Sequence, residues 1–257
     1  MTGPALPECF LRTPLAHRAL HDVNDGRPEN SIAAIDAAVA AGYGIEIDLQ
    51  LSADGHAVVF HDYDLGRLTG VSGAVRQRNL SDLQAVPLLH GDGAGMPSLS
   101  EVLELVAGRV PLLIEFKDQD GAMGPNTGAL EQAALEALTG YTGPVALMSF
   151  NPHCVAELAR LAPQLPHGLV TDSYESDEWP LKAETRAHLR AIPDFDRTGS
   201  SFISHNVHDL DRPRVHELKA QGVPILCWTV KSPTVEAQAR HVANNVTFEG
   251  YRAAIPA

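Results

Sequence analysis

Two carboxylates, Glu46 and Asp48, stand two positions apart in an otherwise apolar run of the sequence. Because side chains alternate along a strand, residues at i and i+2 share a face, and both carboxylates point the same way. Carboxylates this close repel each other unless they are protonated or neutralised, and a divalent cation neutralises them directly. Glu115 lies in another apolar run and supplies a third carboxylate. Three carboxylates without clustered cysteines predict one hard cation: Mg²⁺, Ca²⁺ or Mn²⁺.

Two histidines, His17 and His61, each end a predicted extended run close to this cluster. Phosphodiester cleavage needs a base for the nucleophile and an acid for the leaving alkoxide, and histidine can fill either role. A single histidine at a strand end is more often a hydrogen-bonded structural residue, but a pair beside three carboxylates favours catalysis. Asp62 follows His61, and adjacent strand residues point to opposite faces, so Asp62 need not touch the imidazole and can cap the turn instead.

Arg18 and Lys117 add positive charge beside the carboxylates. Arginine binds phosphate through two parallel hydrogen bonds, and Lys117 shares the strand face of Glu115. We expect both cations to contact a phosphate group. The alternative is that each balances a carboxylate, for instance Arg18 with Glu115, in a set of buried ion pairs.

Alternating strands and helices must position these residues. Apolar runs of strand length predict strands at 14–19, 43–51, 56–61, 111–117, 145–150, 167–172, 201–205, 223–230 and 245–248. Helical periodicity and caps predict helices at 31–41, 99–107, 128–139, 152–161, 181–191, 212–221 and 233–243.

This alternation predicts βαβ units and a parallel sheet. About eight units in a chain of 257 residues favour an α/β fold of the (β/α)₈ TIM-barrel type, in which active groups lie at the carboxyl ends of the strands. An open doubly wound sheet is the competitor, although no GxGxxG motif follows a strand. We expect one domain over residues 1–257, with a short inserted lid region at 63–97.

An ordered set of motifs resembles the glycerophosphodiester phosphodiesterase family. The family's HRG, PENT, ExD, DG and HD motifs are matched in order by His17-Arg18, Pro28–Ser31, Glu46-x-Asp48, Asp54-Gly55 and His61-Asp62. The later segments Glu115-x-Lys117 and Gly222–Val230 also look like family segments. The resemblance covers nearly the whole chain and is densest over residues 16–68. Each motif alone is weak, but the ordered set is specific.

The resemblance implies a barrel enzyme that hydrolyses glycerophosphodiesters to glycerol 3-phosphate and an alcohol. It implies one divalent cation held by Glu46, Asp48 and Glu115, acid–base roles for His17 and His61, and phosphate contacts from Arg18 and Lys117. It also implies that Glu29 and Asn30 organise the loop around the phosphate or metal, and that Trp228 lines the substrate pocket.

The sequence departs from the family pattern at three places. Ala19 replaces the glycine of HRG, the loop 20–27 is longer than usual and holds His21 and Asp22, and the segment 244–250 differs from the usual end of the last strand. These changes leave the predicted hydrolytic residues intact and put the alcohol specificity in question.

The composition limits the classes of partner that the protein is expected to bind. The formal net charge is −13, from 19 Lys and Arg against 32 Asp and Glu, which argues against non-specific binding to nucleic acid or anionic membrane. No apolar stretch reaches the length of a signal peptide core or a membrane span, so we expect a cytoplasmic protein without a stable membrane anchor. The predicted partner is a small-molecule phosphodiester, and a homodimer is left open.

Two other functions fit the same residues. One is a phospholipase-D-like barrel related to sphingomyelinase D that acts on intact lipid. The other is a non-catalytic phosphodiester-binding barrel that has lost turnover. The PENT-like loop favours a soluble substrate over the first, and the complete set of histidines, carboxylates and cations argues against the second.

Overall fold

The structure is a computed structural model that describes residues 3–256; residues 1, 2 and 257, the ends of the predicted domain, lie outside it. The chain forms two compact units. The first unit comprises residues 15–117 and 128–145, and the second comprises the chain up to residue 14, residues 118–127 and the chain from residue 146 onward.

Nine strands and eleven α-helices lie in the described residues. The strands are β1 (Leu15–Ala16), β2 (Gly44–Leu51), β3 (Ala57–Val59), β4 (Leu112–Phe116), β5 (Val145–Ser149), β6 (His167–Thr171), β7 (Phe202–Asn206), β8 (Ile225–Val230) and β9 (Asn245–Phe248). The α-helices are α1 (Cys9–Arg12), α2 (Ile32–Ala41), α3 (Gly66–Thr69), α4 (Leu80–Ala85), α5 (Leu99–Val106), α6 (Ala129–Ala137), α7 (Pro152–Leu161), α8 (Ala183–Arg190), α9 (Asp194–Thr198), α10 (Pro213–Ala220) and α11 (Pro233–Ala239). Short 3₁₀ helices lie at Val23–Asp25, Val75–Gln77 and Val207–Asp209.

Strand β2 is the centre of the first unit. It pairs in parallel with β1 on one side and with β4 on the other, and β3 returns antiparallel against its end. All eight residues of β2 are buried, which a parallel strand covered on both faces requires. The register pairs Asp48 with Glu115, so the carboxylates of β2 and β4 meet at one level of the sheet.

Strand β1 is shorter than the predicted strand at 14–19. It ends at Ala16 because Arg18 and Ala19 adopt φ angles of 50° and 67°, which an extended chain does not contain. The backbone therefore turns at these residues, and the Ala19 N–H donates to the Glu46 carbonyl oxygen at 3.0 Å. The consequence is a tight loop set against β2.

Serine side chains cap the starts of two helices of the first unit. The Ser31 side chain accepts a hydrogen bond from the Ala34 N–H and begins α2, which ends at the left-handed Gly42. Ser98 and Glu101 form a capping box at the start of α5. Serine caps and a terminal glycine are local signals, so the sequence placed these ends to within a residue.

The predicted lid region, residues 63–97, contains three short helical segments. Its apolar side chains form a separate cluster together with Val58 of β3 and Phe60. This cluster consists of Val58, Phe60, Leu65, Val75, Leu83, Leu88 and Met96, with Leu68 and Leu80 packed against it. The region is therefore a small folded layer rather than a loose loop.

The second unit contains β5, apart from its first residue Val145, and β6 to β9, and these strands follow one another as parallel neighbours with a helix or loop between successive strands. Together with β1, β2 and β4 of the first unit, eight strands in the described residues are parallel, the number expected from the sequence. Helices α1 and α9 were missed because four or five residues are too few to show helical periodicity.

Within residues 3–256, no helix combines the length and the apolar character that crossing a membrane requires. The cytoplasmic location stays a prediction.

Candidate active site

Three buried carboxylates form the centre of the site in the first unit. Glu46 and Asp48 come from β2 and Glu115 from β4, and one oxygen of each lies within 4.8 Å of the others. Their side chains share one level because the parallel register places Asp48 beside Glu115, while alternation keeps Glu46 on the same face. The structure thus brings together the three residues predicted as metal ligands.

The charges of this cluster are unevenly compensated. Burial and repulsion from Asp48 and Glu115 raise the pKa of Glu46 well above its usual value. Burial also raises the pKa of Glu115, although Lys117 opposes this. For Asp48, attraction to Lys117, His61 and Arg18 outweighs burial and holds the pKa below its usual range. A donor set made of carboxylate oxygens and short of positive charge fits a hard divalent cation.

The two predicted phosphate-binding cations lie against these carboxylates. Lys117 Nζ is 2.7 Å from Asp48 Oδ1 and 2.5 Å from Glu115 Oε1. Arg18 Nη1 is 2.7 Å from Glu29 Oε1, Arg18 Nε is 3.6 Å from Asp48 Oδ2, and the Arg18 backbone N–H donates to Glu46 Oε2. Charge balancing thus takes place, but Arg18 pairs with Glu29 and Asp48 rather than with Glu115.

The PENT-like loop is hydrogen-bonded to β2 through Asn30. The Asn30 side-chain amide donates to Asp48 Oδ2 at 2.9 Å, and the Asp48 N–H donates to Asn30 Oδ1 at 3.4 Å. Asn30 itself has a φ of 58°, a left-handed conformation that asparagine tolerates better than most residues. This loop therefore fixes the rotamer of the central carboxylate, consistent with the organising role expected of Glu29 and Asn30.

His61 contacts Asp62, a contact that the sequence allowed but did not require. Asp62 Oδ1 lies 2.7 Å from His61 Nδ1. Strand β3 ends at Val59, so His61 and Asp62 belong to the following bend, where strand alternation no longer separates neighbouring side chains. The Gln50 amide donates to the His61 carbonyl oxygen at 3.1 Å and ties this bend to β2.

Sequence reasoning missed Arg67 on α3. Its guanidinium donates to both oxygens of Asp62 and to both oxygens of Glu29, at distances of 2.6 to 2.9 Å. No spacing rule links Arg67 to residues 5 and 38 positions away. The one available signal is that Arg67 closely follows the HD motif.

His17 and Trp228 are the remaining predicted site residues. His17 directly follows β1 in the first unit and is half-buried. Trp228 lies near the carboxyl end of β8 in the second unit, where its ring meets Phe150 edge-on, with ring centroids 5.5 Å apart. Phe150 in turn packs against Trp179 at 4.8 Å, and Asp172 accepts a hydrogen bond from the Trp179 indole. Trp228 thus belongs to an aromatic wall formed by Phe150, Tyr174, Trp179 and Trp228.

The model of the glycerophosphoryl diester phosphodiesterase family matches residues 17–250, nearly the whole chain. The chain belongs to this family. The family assignment made from the ordered motifs is therefore confirmed, and with it the prediction of an enzyme of this class.

Two curated relatives show how far the sequence has diverged from other glycerophosphodiester phosphodiesterases. A glycerophosphodiester phosphodiesterase of Caldanaerobacter subterraneus is 29% identical over 212 residues, which cover 79% of this chain and 80% of the relative. A putative glycerophosphodiester phosphodiesterase of Bacillus subtilis is 26% identical over 234 residues, covering 87% and 88%.

Solved structures of the family share the fold. An Oleispira antarctica phosphodiesterase in complex with the product sn-glycerol-3-phosphate matches with a TM-score of 0.76 and 23% identity, over 93% of both chains. A glycerophosphodiester phosphodiesterase of Thermotoga maritima matches with a TM-score of 0.69 and 22% identity, over 91% of this chain and 92% of that one. The predicted (β/α)₈ barrel is confirmed.

Proposed function

We propose that this protein is a divalent-cation-dependent phosphodiesterase that hydrolyses glycerophosphodiesters to glycerol 3-phosphate and an alcohol. The observation that carries the proposal is the buried cluster of Glu46, Asp48 and Glu115, with Arg18 and Lys117 against it, in a chain of this family. The product named for the Oleispira antarctica phosphodiesterase supports glycerol 3-phosphate as the phosphorylated product.

Glu46, Asp48 and Glu115 would hold one cation, Mg²⁺, Ca²⁺ or Mn²⁺, through carboxylate oxygens. The chemistry that a cation would supply there is Lewis-acid stabilisation of the charge that builds on the phosphate oxygens. Asn30 and the Arg18 N–H hold the ligand carboxylates of Asp48 and Glu46 in place through the hydrogen bonds described above.

His61 is suited to move a proton at Nε2. Because Asp62 accepts the hydrogen of Nδ1, the neutral imidazole carries its lone pair on Nε2. The same carboxylate stabilises the imidazolium once Nε2 has taken a proton. His61 is therefore equipped either as a base toward the nucleophile, a water or a neighbouring substrate hydroxyl, or as an acid toward the leaving alkoxide.

His17 is proposed to carry the complementary proton transfer, so that one histidine acts as base and the other as acid. Arg18 and Lys117 are proposed to bind non-bridging phosphate oxygens, exchanging part of their present carboxylate contacts for phosphate. Trp228 is proposed to line the substrate pocket.

Hydrolysis of glycerophosphocholine tests the proposal. The protein is incubated with the diester and Mg²⁺, Ca²⁺ or Mn²⁺, and glycerol 3-phosphate and choline are measured separately. We expect stoichiometric release of both products, abolished by a chelator and restored by the cation. Parallel assays use glycerophosphoethanolamine and glycerophosphoglycerol as substrates, and intact lysophospholipid and sphingomyelin as the lipid alternative.

Each outcome selects one function. Release from glycerophosphodiesters supports the proposal, whereas release only from intact lipid would replace it with the phospholipase-D-like activity. Binding of diesters without turnover, with every cation and head group tried, would leave the non-catalytic barrel.

A further inference from the structure

Arg67 connects two parts of the site that are far apart in sequence. Its Nε and Nη2 lie 2.6 and 2.9 Å from the two oxygens of Asp62, and its Nη1 and Nη2 lie 2.8 Å from the two oxygens of Glu29. A planar guanidinium that makes two parallel hydrogen bonds to each of two carboxylates fixes the planes of both. Arg67 therefore sets the orientation of two side chains outside the cluster of three carboxylates.

Through Asp62, Arg67 affects the position of His61. Asp62 Oδ1, which accepts from Arg67 Nη2, is also the oxygen 2.7 Å from His61 Nδ1. With both carboxylate oxygens held, Asp62 cannot rotate away from the imidazole without breaking a bond to Arg67. Arg67 thus fixes the ring position and tautomer of His61 indirectly, through Asp62.

Through Glu29, Arg67 also affects the position of Arg18. Glu29 Oε1 accepts from Arg67 Nη2 and from Arg18 Nη1, at 2.8 and 2.7 Å. Arg18 in turn lies 3.6 Å from Asp48 through Nε. The carboxylate of Glu29 is therefore shared by two guanidinium groups, and its position decides where the Arg18 fork lies.

The exposure of Arg67 favours a positioning role over a stabilising one. Its side chain is 48% exposed, and it projects from α3 at the start of the 63–97 layer. An ion pair whose cation is half exposed contributes less to the free energy of unfolding than a fully buried one, because water screens it and ordering a long side chain costs entropy. Four well-directed hydrogen bonds around a half-exposed guanidinium are better suited to alignment than to stability.

We propose that Arg67 is a positioning residue, which aligns His61 through Asp62 and Arg18 through Glu29. The 63–97 layer then contributes to the reaction through α3 and does more than cover a pocket. This inference rests on the proposed hydrolysis, in which His61 moves a proton and Arg18 binds phosphate.

Replacing Arg67 by lysine tests the proposal, since lysine keeps the charge and loses the fork. We expect R67K to lower kcat for glycerophosphocholine by about 10- to 100-fold, as misplaced supporting groups do, with the unfolding midpoint in urea unchanged. Arg78→Lys is the matched control: the Arg78 side chain is in the same layer, bonds the Ser72 carbonyl oxygen and is expected to leave kcat unchanged.

A double-mutant cycle distinguishes alignment from a general disturbance. If Arg67 acts on His61 through Asp62, R67K should lower kcat much less in a D62N background than in the wild-type background. Wild-type kcat in R67K, or full additivity of its loss with both D62N and E29Q, would overturn the proposal. Were R67K to fail to fold, Arg67→Gln would be judged by the same criteria. An inactive wild-type protein would instead refute the proposed hydrolysis itself.

Discussion

Lys117 Nζ lies 2.7 Å from Asp48 Oδ1, inside the cluster proposed to hold a cation. The same ammonium is 2.5 Å from Glu115 Oε1, so one lysine neutralises part of two ligand carboxylates. If a cation were held at these carboxylates, Lys117 would be bound less tightly by them and would be available to the phosphate oxygen proposed above.

Lys117→Met should separate the two roles of this residue. Loss of a charged hydrogen bond to phosphate is expected to lower kcat/KM by about 10- to 100-fold. Removal of a competing positive charge should at the same time tighten cation binding, measured by calorimetry with Mn²⁺. Tighter Mn²⁺ binding with unchanged kcat/KM would show that Lys117 only balances carboxylates.

Replacement of either histidine should remove turnover and spare the metal site. We expect His17→Ala and His61→Ala each to lower kcat by about 10²- to 10⁴-fold, the usual contribution of a positioned acid or base. Mn²⁺ affinity should stay near that of the wild-type protein. His56→Ala is the control, because His56 lies in the exposed turn before β3 and should retain full turnover. A fully active variant at position 17 or 61 would refute its assignment.

The three carboxylates should govern the response to divalent cations. Glu46→Gln, Asp48→Asn and Glu115→Gln each remove a charged ligand, so cation binding should weaken by about 10- to 100-fold and the cation concentration needed for half-maximal rate should rise accordingly. Asp36→Asn, on an exposed position of α2 in the same unit, is the matched control and should leave both quantities unchanged. If all three variants bound Mn²⁺ like the wild-type protein, the site would have to lie elsewhere.

Ala19→Gly should stabilise the fold. Ala19 has a φ of 67°, where a Cβ costs about 1–2 kcal/mol, and its buried methyl group is small. After the entropy that glycine adds to the unfolded chain is subtracted, we expect the free energy of unfolding in urea to rise by up to about 1 kcal/mol. Ala37→Gly, in the middle of helix α2, should lower it, since glycine destabilises a helix interior.

Stability should fall in acid through Asp194 on α9. Burial raises the pKa of Asp194, but hydrogen bonds from Arg197 and His188 outweigh it and lower the pKa below its usual value. A carboxylate with a depressed folded-state pKa stabilises the protein above its unfolded pKa and stops doing so as the pH falls through the folded value.

The comparison of wild-type protein with Asp194→Asn measures this contribution. The variant should be less stable in urea at pH 6, and the difference should shrink as the pH is lowered from about 4 toward 2. A difference that stays constant across this range would mean that the ionised carboxylate is not what the folded state uses.

Local signals in the sequence determined much of this protein. Strand alternation put Glu46 and Asp48 on one face, serine caps and Gly42 set the ends of helices, and the ordered motifs identified the family. These features depend on neighbours within a few positions, which is the distance over which side-chain alternation and capping act.

The tertiary structure alone decided how the site is held together. The sequence pattern did not indicate that β1 would stop at Ala16, that Asp62 would turn back onto His61, or that Arg67 would join Asp62 to Glu29. Each of these depends on where a bend leaves a strand and on groups brought together across long stretches of chain. Hydrogen bonds are directional and short, so which partners meet is settled only when the backbone has closed around them.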